Sequence, residues 1–490
     1  MPMRRALKVL GLAMLALILA VAVNTWRQGS RQLQVAPLPP LAVDEAGLAE
    51  RLAGAVRART IAAADDARLN ADQFQRLHAH LQQAYPRLHA ALKRETVGEL
   101  SLLYTWPGSD PAAKPMLLMA HQDVVPIAPG TEKDWAQPPF DGAVKDGFVW
   151  GRGAWDDKGN LVAQLEAIEM LVAGGFKPRR TVYLAFGADE EVGGLRGAKA
   201  IAALLQQRGV RLDFVLDEGL LITEGVMPGL ATPAALVGIA EKGYLSVVLK
   251  VPATPGHSSM PPPKGTSAIA MMAAAIKRVD DAQLPGGIRG VAREMFETLA
   301  PEMPGLQRVA LSNLWLFGPL VARQLEQGAS TQAMLRTTTA PTVFNAGNKD
   351  NVLPGSAEAT VNFRLLPGDS QAAVLDHVRR QVGNDRFELY SLPGASEASR
   401  VSPTAAEPYR RIERTVREVF PGTLVAPGLM IGATDSRHFE GIADHIYRFS
   451  PVRARPEDLP RFHGTNERIS TANLAELTRF YHRLVGEAAK

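Results

Sequence analysis

The sequence predicts an α/β fold in which a larger domain, built on a helix-covered and mainly parallel sheet, is interrupted by a smaller α+β lid. Two short apolar runs, 116–120 and 182–186, end in polar residues, as buried parallel strands do. Between them, apolar residues recur at helical spacing over 161–172. A strand, a helix and a strand at this spacing indicate a right-handed crossover, and a further strand is expected at 214–216.

The pattern changes near residue 243, where the lid is expected to begin. Segments 245–251 and 359–365 read as antiparallel strands, and they bracket an Ala/Met-rich helix near 269–276. The last part of the chain returns to a helical period. The expected division is a leader of 1–43, a larger domain of 44–242 and 367–490, and a lid of 243–366.

The N-terminus has the pattern of an export signal. Three basic residues precede an apolar run over 9–23, and a Pro-rich spacer follows at 36–40. The run has 15 residues, which is short for a membrane-spanning helix of ~20 residues. We expect an exported protein, periplasmic or secreted after cleavage, or anchored to the membrane through 9–23 by an uncleaved signal.

Composition limits the chemistry of the protein. The chain has 490 residues, a net charge of +4 and no cysteine. Disulfides, cysteine-based metal sites and thiol nucleophiles are therefore excluded, and any metal must be held by the 10 histidines and by carboxylates. The small charge excess does not indicate a nucleic-acid partner.

Polar clusters follow the predicted strands, where ligands of open α/β sheets gather. Asp123 lies two residues after His121, so its carboxylate can orient the ring of that histidine. Alone, His121 reads equally well as a satisfied core histidine. Adjacent Glu190 and Glu191 follow the second strand, and a dication would relieve their repulsion.

Two further acidic pairs and a distant histidine extend this set. Asp156 and Asp157 precede the 161–172 helix, where ordinary N-capping is the competing interpretation. Asp217 and Glu218 follow the third strand, and His463 stands ahead of the last helix. Histidines with several carboxylates match a site for one or two divalent metals of intermediate hardness.

Taken together, these segments resemble the M20 metallopeptidase family. The resemblance rests on MAHQDVVP, GRGAWDDKG, FGADEEVGG, LDEG and FHGTNERIS, in this order, and extends over about 95–485. The segments LRTTTA and LWLFGPL point to the branch of carboxypeptidase S and the N-fatty-acyl-amino-acid synthase/hydrolases. The family implies a catalytic α/β domain with a lid, and a metal-dependent hydrolase of amide bonds.

The resemblance also implies the metal ligands. Two Zn²⁺ ions are expected, with Co²⁺ or Mn²⁺ as possible substitutes. His121, Asp156 and Glu218 would hold one ion, and Asp156, Glu191 and His463 the other, so that Asp156 bridges them. Asp217 is adjacent to Glu218 and stays open as an alternative ligand.

Other residues take their expected roles from the same resemblance. Glu190 would be the general base, with Asp123 as the residue that orients His121. His257, in the lid, would donate to the oxyanion. Arg364 and Asn351 would grip a substrate carboxylate, for which the planar fork of arginine is suited.

The expected activity is cleavage, or reverse formation, of the amide bond of N-acyl amino acids. The alternative is a Gly-X type carboxypeptidase that acts on short peptides, and a catalytically silent scaffold is the rival from another class. An apolar run of the lid reads either as a fatty-acyl channel or as lid core: Leu311, Leu314, Trp315, Leu316 and Phe317. The lid is also a candidate surface for a homodimer.

Overall fold

The computed structural model describes residues 2–490. Within these residues the α-helices are α1 Pro2–Arg27, α2 Glu45–Val56, α3 Ala71–Ala84, α4 Pro86–Ala91, α5 Lys158–Ala173, α6 Ala198–Gln207, α7 Ala268–Asp281, α8 Gly290–Leu299, α9 Gly305–Ser312, α10 Leu314–Leu325, α11 Ala329–Leu335, α12 Gln371–Val382, α13 Glu407–Val419 and α14 Thr471–Ala488. The strands are β1 Lys93–Val97, β2 Ser101–Trp106, β3 Met116–His121, β4 Ala143–Lys145, β5 Phe148–Trp150, β6 Val182–Gly187, β7 Leu212–Thr223, β8 Ala234–Glu241, β9 Gly243–Pro252, β10 Gly256–His257, β11 Thr338–Ala346, β12 Val352–Leu353, β13 Ser356–Leu365, β14 Glu388–Ser391, β15 Leu424–Met430, β16 Ala443–Ala454 and β17 Arg468–Ser470.

An eight-stranded sheet forms the larger domain, in the order β1-β2-β6-β3-β7-β16-β8-β15. Its centre is parallel, because β3 pairs in parallel with β6 and β7, and β16 pairs in parallel with β7. Antiparallel pairing enters at β1–β2 and β2–β6. The predicted α/β fold class is confirmed, and the strands expected at 116–120, 182–186 and 214–216 are β3, β6 and β7.

Helices bury both faces of this sheet. Met116, Leu118 and Ala120 of β3 face a core shared with α5 and α14, while Leu117 and Met119 face a second core shared with α6. A strand buried on both faces has no alternation of polar and apolar residues, which explains its continuous apolar run.

The lid is a four-stranded antiparallel sheet, in the order β11-β13-β9-β14, with α7 and α12 packed on it. Because β14 pairs with β9, this sheet includes residues beyond 366. The expected end of the lid at 366 therefore differs from the structure. Local periodicity could not reveal this difference, because α12 and β14 have no lid-specific pattern of their own.

Helices α8 to α11 lie inside the sequence range expected for the lid but do not belong to the lid sheet. Their buried side chains share a core with Ala234 of β8 and with Leu424 and Ala426 of β15, at the edge of the main sheet. No residue of α10, Leu314–Leu325, is fully buried. Leu311 is buried in this core and Leu314 packs against it, so the run contributes to a core at the edge of the main sheet and not to the core of the lid sheet, while the fatty-acyl channel stays a prediction.

Helix α1 extends from the body of the protein. Within residues 2–490, it is the one helix long and apolar enough to cross a membrane, and its apolar window is fully exposed. Length and composition alone fit a signal sequence or an anchor. Its last turns contact α9.

Candidate metal centre

The ends of β3 and β6 and a position within β7 supply most of the predicted ligands, whereas Asp156 follows β5 of the small three-stranded sheet. His121 is the last residue of β3, and Glu190 and Glu191 begin a short 3-10 helix after β6. Asp156 precedes α5, and its peptide bond to Asp157 is cis. This convergence follows from the parallel order of the strands, because parallel strands end at one edge of the sheet.

Asp156 lies between the two histidines. Its Oδ1 is 3.1 Å from His121 Nε2, and its Oδ2 is 2.8 Å from His463 Nε2. Candidate ligand atoms lie within 4.8 Å of one another in His121, Asp156 and Glu218, and again in Asp156, Glu191 and His463. These are the two sets that the resemblance implied, and Asp156 belongs to both.

The geometry favours Glu218 over Asp217 as the candidate metal ligand. Glu218 Oε1 lies 3.8 Å from His121 Nε2. Asp217 instead accepts hydrogen bonds from the backbone N–H groups of Glu218 and Ser436, which engage both of its oxygens. The pairing of β7 with β16 is irregular here and leaves Glu218 and Gly219 outside the ladder. A bulge of this kind re-aims side chains beside functional sites.

The second metal set depends on an unusual loop. His463 has a left-handed backbone, with φ of 57°. Arg152 donates to the carbonyl oxygens of His463 and Gly464 and is paired with buried Glu467 at 2.7 Å. Glu467 Oε1 also accepts from the backbone N–H groups of Gly153, Trp155 and Asp156. One buried ion pair thus joins the loops of Asp156 and His463.

The sequence interpretation missed Arg152 and Glu467, and it also missed the state of Asp435. Both carboxylate oxygens of Asp435 are buried and have no hydrogen-bond partner among residues 2–490. They lie against Gly187 and Gly194, where a Cβ atom would clash with them. Arg152 stands inside GRGAWDDKG and Glu467 inside FHGTNERIS, so a signal was present for these two, but a motif does not show which residues meet in space.

Asp123 has a broader role than the sequence suggested. Its backbone oxygen, at 2.9 Å, accepts from Nδ1 of His121, and its carboxylate lies 3.5 Å from the same nitrogen. The carboxylate instead accepts hydrogen bonds from the backbone N–H groups of Glu190 and Glu191, at 3.1 and 3.0 Å. It therefore holds the turn that carries the candidate base.

The pKa values show how much negative charge is gathered here. Burial and the charges of Asp435 and Glu191 raise the pKa of Glu190 well above its usual range. The hydrogen bond to Asp156 and the nearby carboxylate of Glu191 raise the pKa of His463 to about 10. The excess of carboxylates favours the protonated forms of Glu190 and His463. A bound dication would neutralise this negative charge.

One buried atom tests whether these residues fit a metal. Glu191 Oε1 is buried and lies 3.2 Å from His463 Nε2, but the aligned hydrogen bond of that nitrogen goes to Asp156 Oδ2, so no aligned donor in the described part of the chain satisfies Glu191 Oε1. Such an atom costs free energy unless a cation or another donor satisfies it. Two histidines with carboxylates of this geometry suit zinc and similar divalent ions, so the donor set fits the implied metals.

The remaining predicted residues are not brought together within one chain. His257 ends β10 and Asn351 directly precedes β12, in the exposed two-stranded β10–β12 ribbon, where the Asn351 carbonyl accepts from Ser258 N–H. Arg364 pairs in register with Tyr244, whereas Ser356 of the same strand pairs with Pro252, next to the ribbon. Eight residues of strand separate these ends by about 26 Å. Arg364 and Asn351 of one chain therefore lie at opposite ends of the lid, and their joint role in gripping a substrate carboxylate stays a prediction.

Arg364 nevertheless lies in a cationic region. Its guanidinium is 4.8 Å from the ring centroid of Tyr244. Burial and the charge of Arg437 lower the pKa of Arg364. Lys242 is also close, and burial together with Arg364 lowers its pKa to about 7. None of the hydrogen bonds or ion pairs found within residues 2–490 engages the guanidinium of Arg364, so it is free to receive an anion.

A mainly parallel α/β domain with a lid, and with overlapping histidine–carboxylate sets at its strand ends, defines a metal-dependent hydrolase of amide bonds. The sequence profile of Peptidase family M20/M25/M40 matches residues 117–487, and the chain belongs to this family.

Curated relatives place the chain in one branch of the family. It is 41% identical to N-fatty-acyl-amino acid synthase/hydrolase PM20D1 of Xenopus tropicalis, over 89% of this chain and 85% of that protein. It is 38% identical to probable carboxypeptidase S-like 2 of Dictyostelium discoideum, over 97% and 93%. The predicted resemblance to this branch is confirmed.

Solved structures share the fold at low sequence identity. The M20 family metallo-carboxypeptidase Sso-CP2 of Sulfolobus solfataricus aligns with a TM-score of 0.65 and 17% identity, covering 91% of this chain and 99% of that one. Human carnosine dipeptidase 1 aligns with a TM-score of 0.63 and 17% identity, covering 92% and 100%.

Proposed function

We propose that this chain is a di-zinc amidohydrolase that cleaves, or in reverse forms, the amide bond of N-acyl amino acids. The observation that carries the proposal is the position of Asp156, whose two carboxylate oxygens face two different histidines. A carboxylate placed in this way can bridge two ions. The relatives named N-fatty-acyl-amino acid synthase/hydrolase supply the substrate class.

The chain's own residues supply the proton chemistry. When bound, two zinc ions would polarise the amide carbonyl and lower the pKa of water, so that water can lose a proton and attack the carbonyl carbon. Glu190 would take a proton from the attacking water and return it to the leaving nitrogen. Burial raises its pKa, and a raised pKa favours taking up this proton before it is passed on.

Arg364 is the proposed receptor for the carboxylate of the amino-acid part. It is half-buried beside Tyr244, it forms no ion pair with a carboxylate of residues 2–490, and Lys242 and Arg437 add positive charge around it. A substrate carboxylate would relieve this repulsion and could form two parallel hydrogen bonds with the guanidinium.

His257 and Asn351 are proposed to serve the site of a second copy of the chain. The β10–β12 ribbon that carries them lies at the far end of the lid from Arg364. The edge strand of the lid, β11, exposes Val343 and Phe344 and has a free row of backbone groups on its outer side. Exposed edges of this kind pair readily with another chain. A homodimer through the lid would cover this edge and bring a lid residue to each site.

The N-terminal helix is proposed to direct export and to remain as an anchor. Arg4, Arg5 and Lys8 precede its apolar run, whereas Arg27 alone follows within the helix, and an excess of basic residues before the run keeps the N-terminus on the cytoplasmic side and the catalytic domain outside. The contacts of its last turns with α9 support the proposal that this helix stays attached.

A substrate panel tests the proposed activity. The metal-loaded protein should hydrolyse N-acyl amino acids with increasing kcat/KM as the acyl chain lengthens, and Glu190→Gln should retain both metals but lose nearly all turnover. Faster cleavage of dipeptides than of long-chain N-acyl amino acids would favour the carboxypeptidase alternative, which the Dictyostelium relative supports. Absence of metal and of turnover on both substrate classes would contradict both enzymatic functions.

A further inference from the structure

The end of α1 is joined to the turn between α9 and α10 by a network of side-chain hydrogen bonds. Asn313, in this turn, donates from Nδ2 to Thr25 Oγ1 at 2.8 Å. Its Oδ1 accepts from Asn24 Nδ2 at 3.0 Å. Asn24 and Gln28 also donate to the backbone oxygen of Ser312. The last turns of α1 are thus fixed to the folded protein by specific side-chain hydrogen bonds.

If α1 crosses a bilayer, the place where it meets the α9–α10 turn determines how far that turn lies from the hydrocarbon core. The apolar surface of α1 is exposed from Met3 to Val23. The uncharged run from Val9 to Val23 spans roughly 23 Å at 1.5 Å per residue, and the long side chains of Arg4, Arg5 and Lys8 at its start can extend to the headgroups of a hydrocarbon core of ~30 Å. Val21, Asn24 and Thr25 are the partly buried residues within Met3–Arg27, and Gln28, directly after α1, is partly buried as well, on the side that meets the α9–α10 turn. The turn therefore lies where the hydrocarbon ends.

The helices that flank the turn expose large apolar side chains. Trp315 is 61% exposed and Leu320 is 69% exposed, both on α10, and Leu306 on α9 is 85% exposed. Trp315 Nε1 donates to Asn313 Oδ1, so its ring stands directly at the junction with α1. Trp26, 82% exposed on the last turn of α1, lies at the same end. Tryptophans at the end of an apolar helix are typical of the membrane interface.

We propose that α10, together with the exposed start of α9, forms a membrane-contact surface that lies on the lipid bilayer beside the inserted α1. Arg323, exposed in the last turn of α10, and Arg27 of α1 supply charges for the lipid headgroups. The surface requires the anchorage of α1 proposed above, but it does not depend on the substrate or on the metal.

The absence of cysteine gives a direct experiment on the full chain. Leu320→Cys and Val144→Cys each provide a single labelling site, and Val144 is a matched control because it is an apolar residue, 42% exposed, on β4 of the small three-stranded sheet. Each variant is labelled with a fluorophore and reconstituted in phosphatidylcholine–phosphatidylglycerol vesicles. Quenching by spin-labelled lipid and by aqueous iodide is then compared between the two sites.

The proposal expects the label at position 320 to be quenched severalfold more by spin-labelled lipid, and severalfold less by iodide, than the label at position 144. Equal quenching at both positions would overturn it. Protection of the label at position 320 from iodide that does not depend on lipid, and that increases with protein density, would also overturn the proposal. That result would indicate contact between copies of the chain. A chain isolated from membranes whose N-terminus lies beyond residue 24 would overturn it as well. Amide hydrolysis is not a readout, so an error in the proposed activity would not change these outcomes.

Discussion

The carboxylate of Asp123 holds the backbone of Glu190. Its Oδ1 accepts the Glu190 N–H and its Oδ2 accepts the Glu191 N–H, while its backbone oxygen receives the ring N–H of His121. One residue thus positions the candidate metal ligands His121 and Glu191 and the candidate base Glu190.

Replacing Asp123 should therefore reduce turnover more than metal binding. Asp123→Asn keeps one acceptor oxygen and cannot hold both N–H groups, so the Glu190 turn would lose its fixed geometry. We expect kcat to fall by about 10–100-fold, the usual effect of removing a residue that orients metal ligands. Isothermal titration with Zn²⁺, run beside kinetics, should show a much smaller loss. An equal loss of affinity and kcat would indicate that Asp123 acts only through His121.

The Arg152–Glu467 pair should affect metal affinity through the backbone of the candidate ligands Asp156 and His463, to which it is hydrogen-bonded. In Glu467→Gln the size is kept, but Arg152 is left buried without its counter-ion, and the loops of Asp156 and His463 lose their link. We expect weaker Zn²⁺ binding, by about 10–100-fold. Glu476→Gln, a carboxylate outside the site that pairs with Arg453, is the control and should bind zinc like the wild type. Wild-type affinity in Glu467→Gln would contradict this role.

Acid should destabilise the protein through His438. Burial and the charge of Arg437 lower the pKa of His438 to about 4, against 6.5 when unfolded. Between these pH values the unfolded chain binds the proton and the folded chain does not, so the free energy of unfolding falls as the pH drops from about 7 towards 4. The full loss from this group is at most about 3 kcal/mol.

His438→Gln isolates this contribution, because its amide can still donate to the Gly193 oxygen that His438 contacts but does not titrate. Urea unfolding at pH 7 and pH 5 should show a smaller loss of stability in the variant than in the wild type. The same pH dependence in both proteins would show that other groups cause the acid sensitivity.

Two inactive variants should restore activity when they share a dimer. Glu190→Gln lacks the base but keeps the lid histidine, and His257→Ala keeps the base but lacks the histidine. If each lid serves the other copy, co-refolded variants contain hybrid dimers with one complete site, giving about a quarter of wild-type activity for random pairing. Activity no higher than the mean of the separate variants would contradict the proposed arrangement.

The sequence was most informative where local pattern decides the structure. Buried parallel strands such as β3 and β6 have continuous apolar runs, and the polar residues after them become neighbours because parallel strands end at one edge. The two ligand sets could therefore be expected before the structure. The resemblance supplied their pairing, since spacing alone left Asp217 and Glu218 equivalent.

The features that were missed are set by tertiary packing. The backbone hydrogen bonds of Asp217 and the contact of Arg152 with Glu467, 315 residues away, leave no periodic pattern in the sequence. The placement of Arg364 and Asn351 at opposite ends of the lid depends on strand register, which a list of motifs does not contain. The exposure of α10 likewise depends on what packs beside it.

Metal content is the most direct measure of the central claim that Asp156 bridges two ions. Plasma mass spectrometry of the purified wild type and of Asp156→Ala, dialysed against the same zinc buffer, compares them. The account predicts two zinc equivalents in the wild type and the loss of tight binding at both positions in the variant, because both sets share this carboxylate. Two equivalents held at unchanged affinity by Asp156→Ala would contradict it.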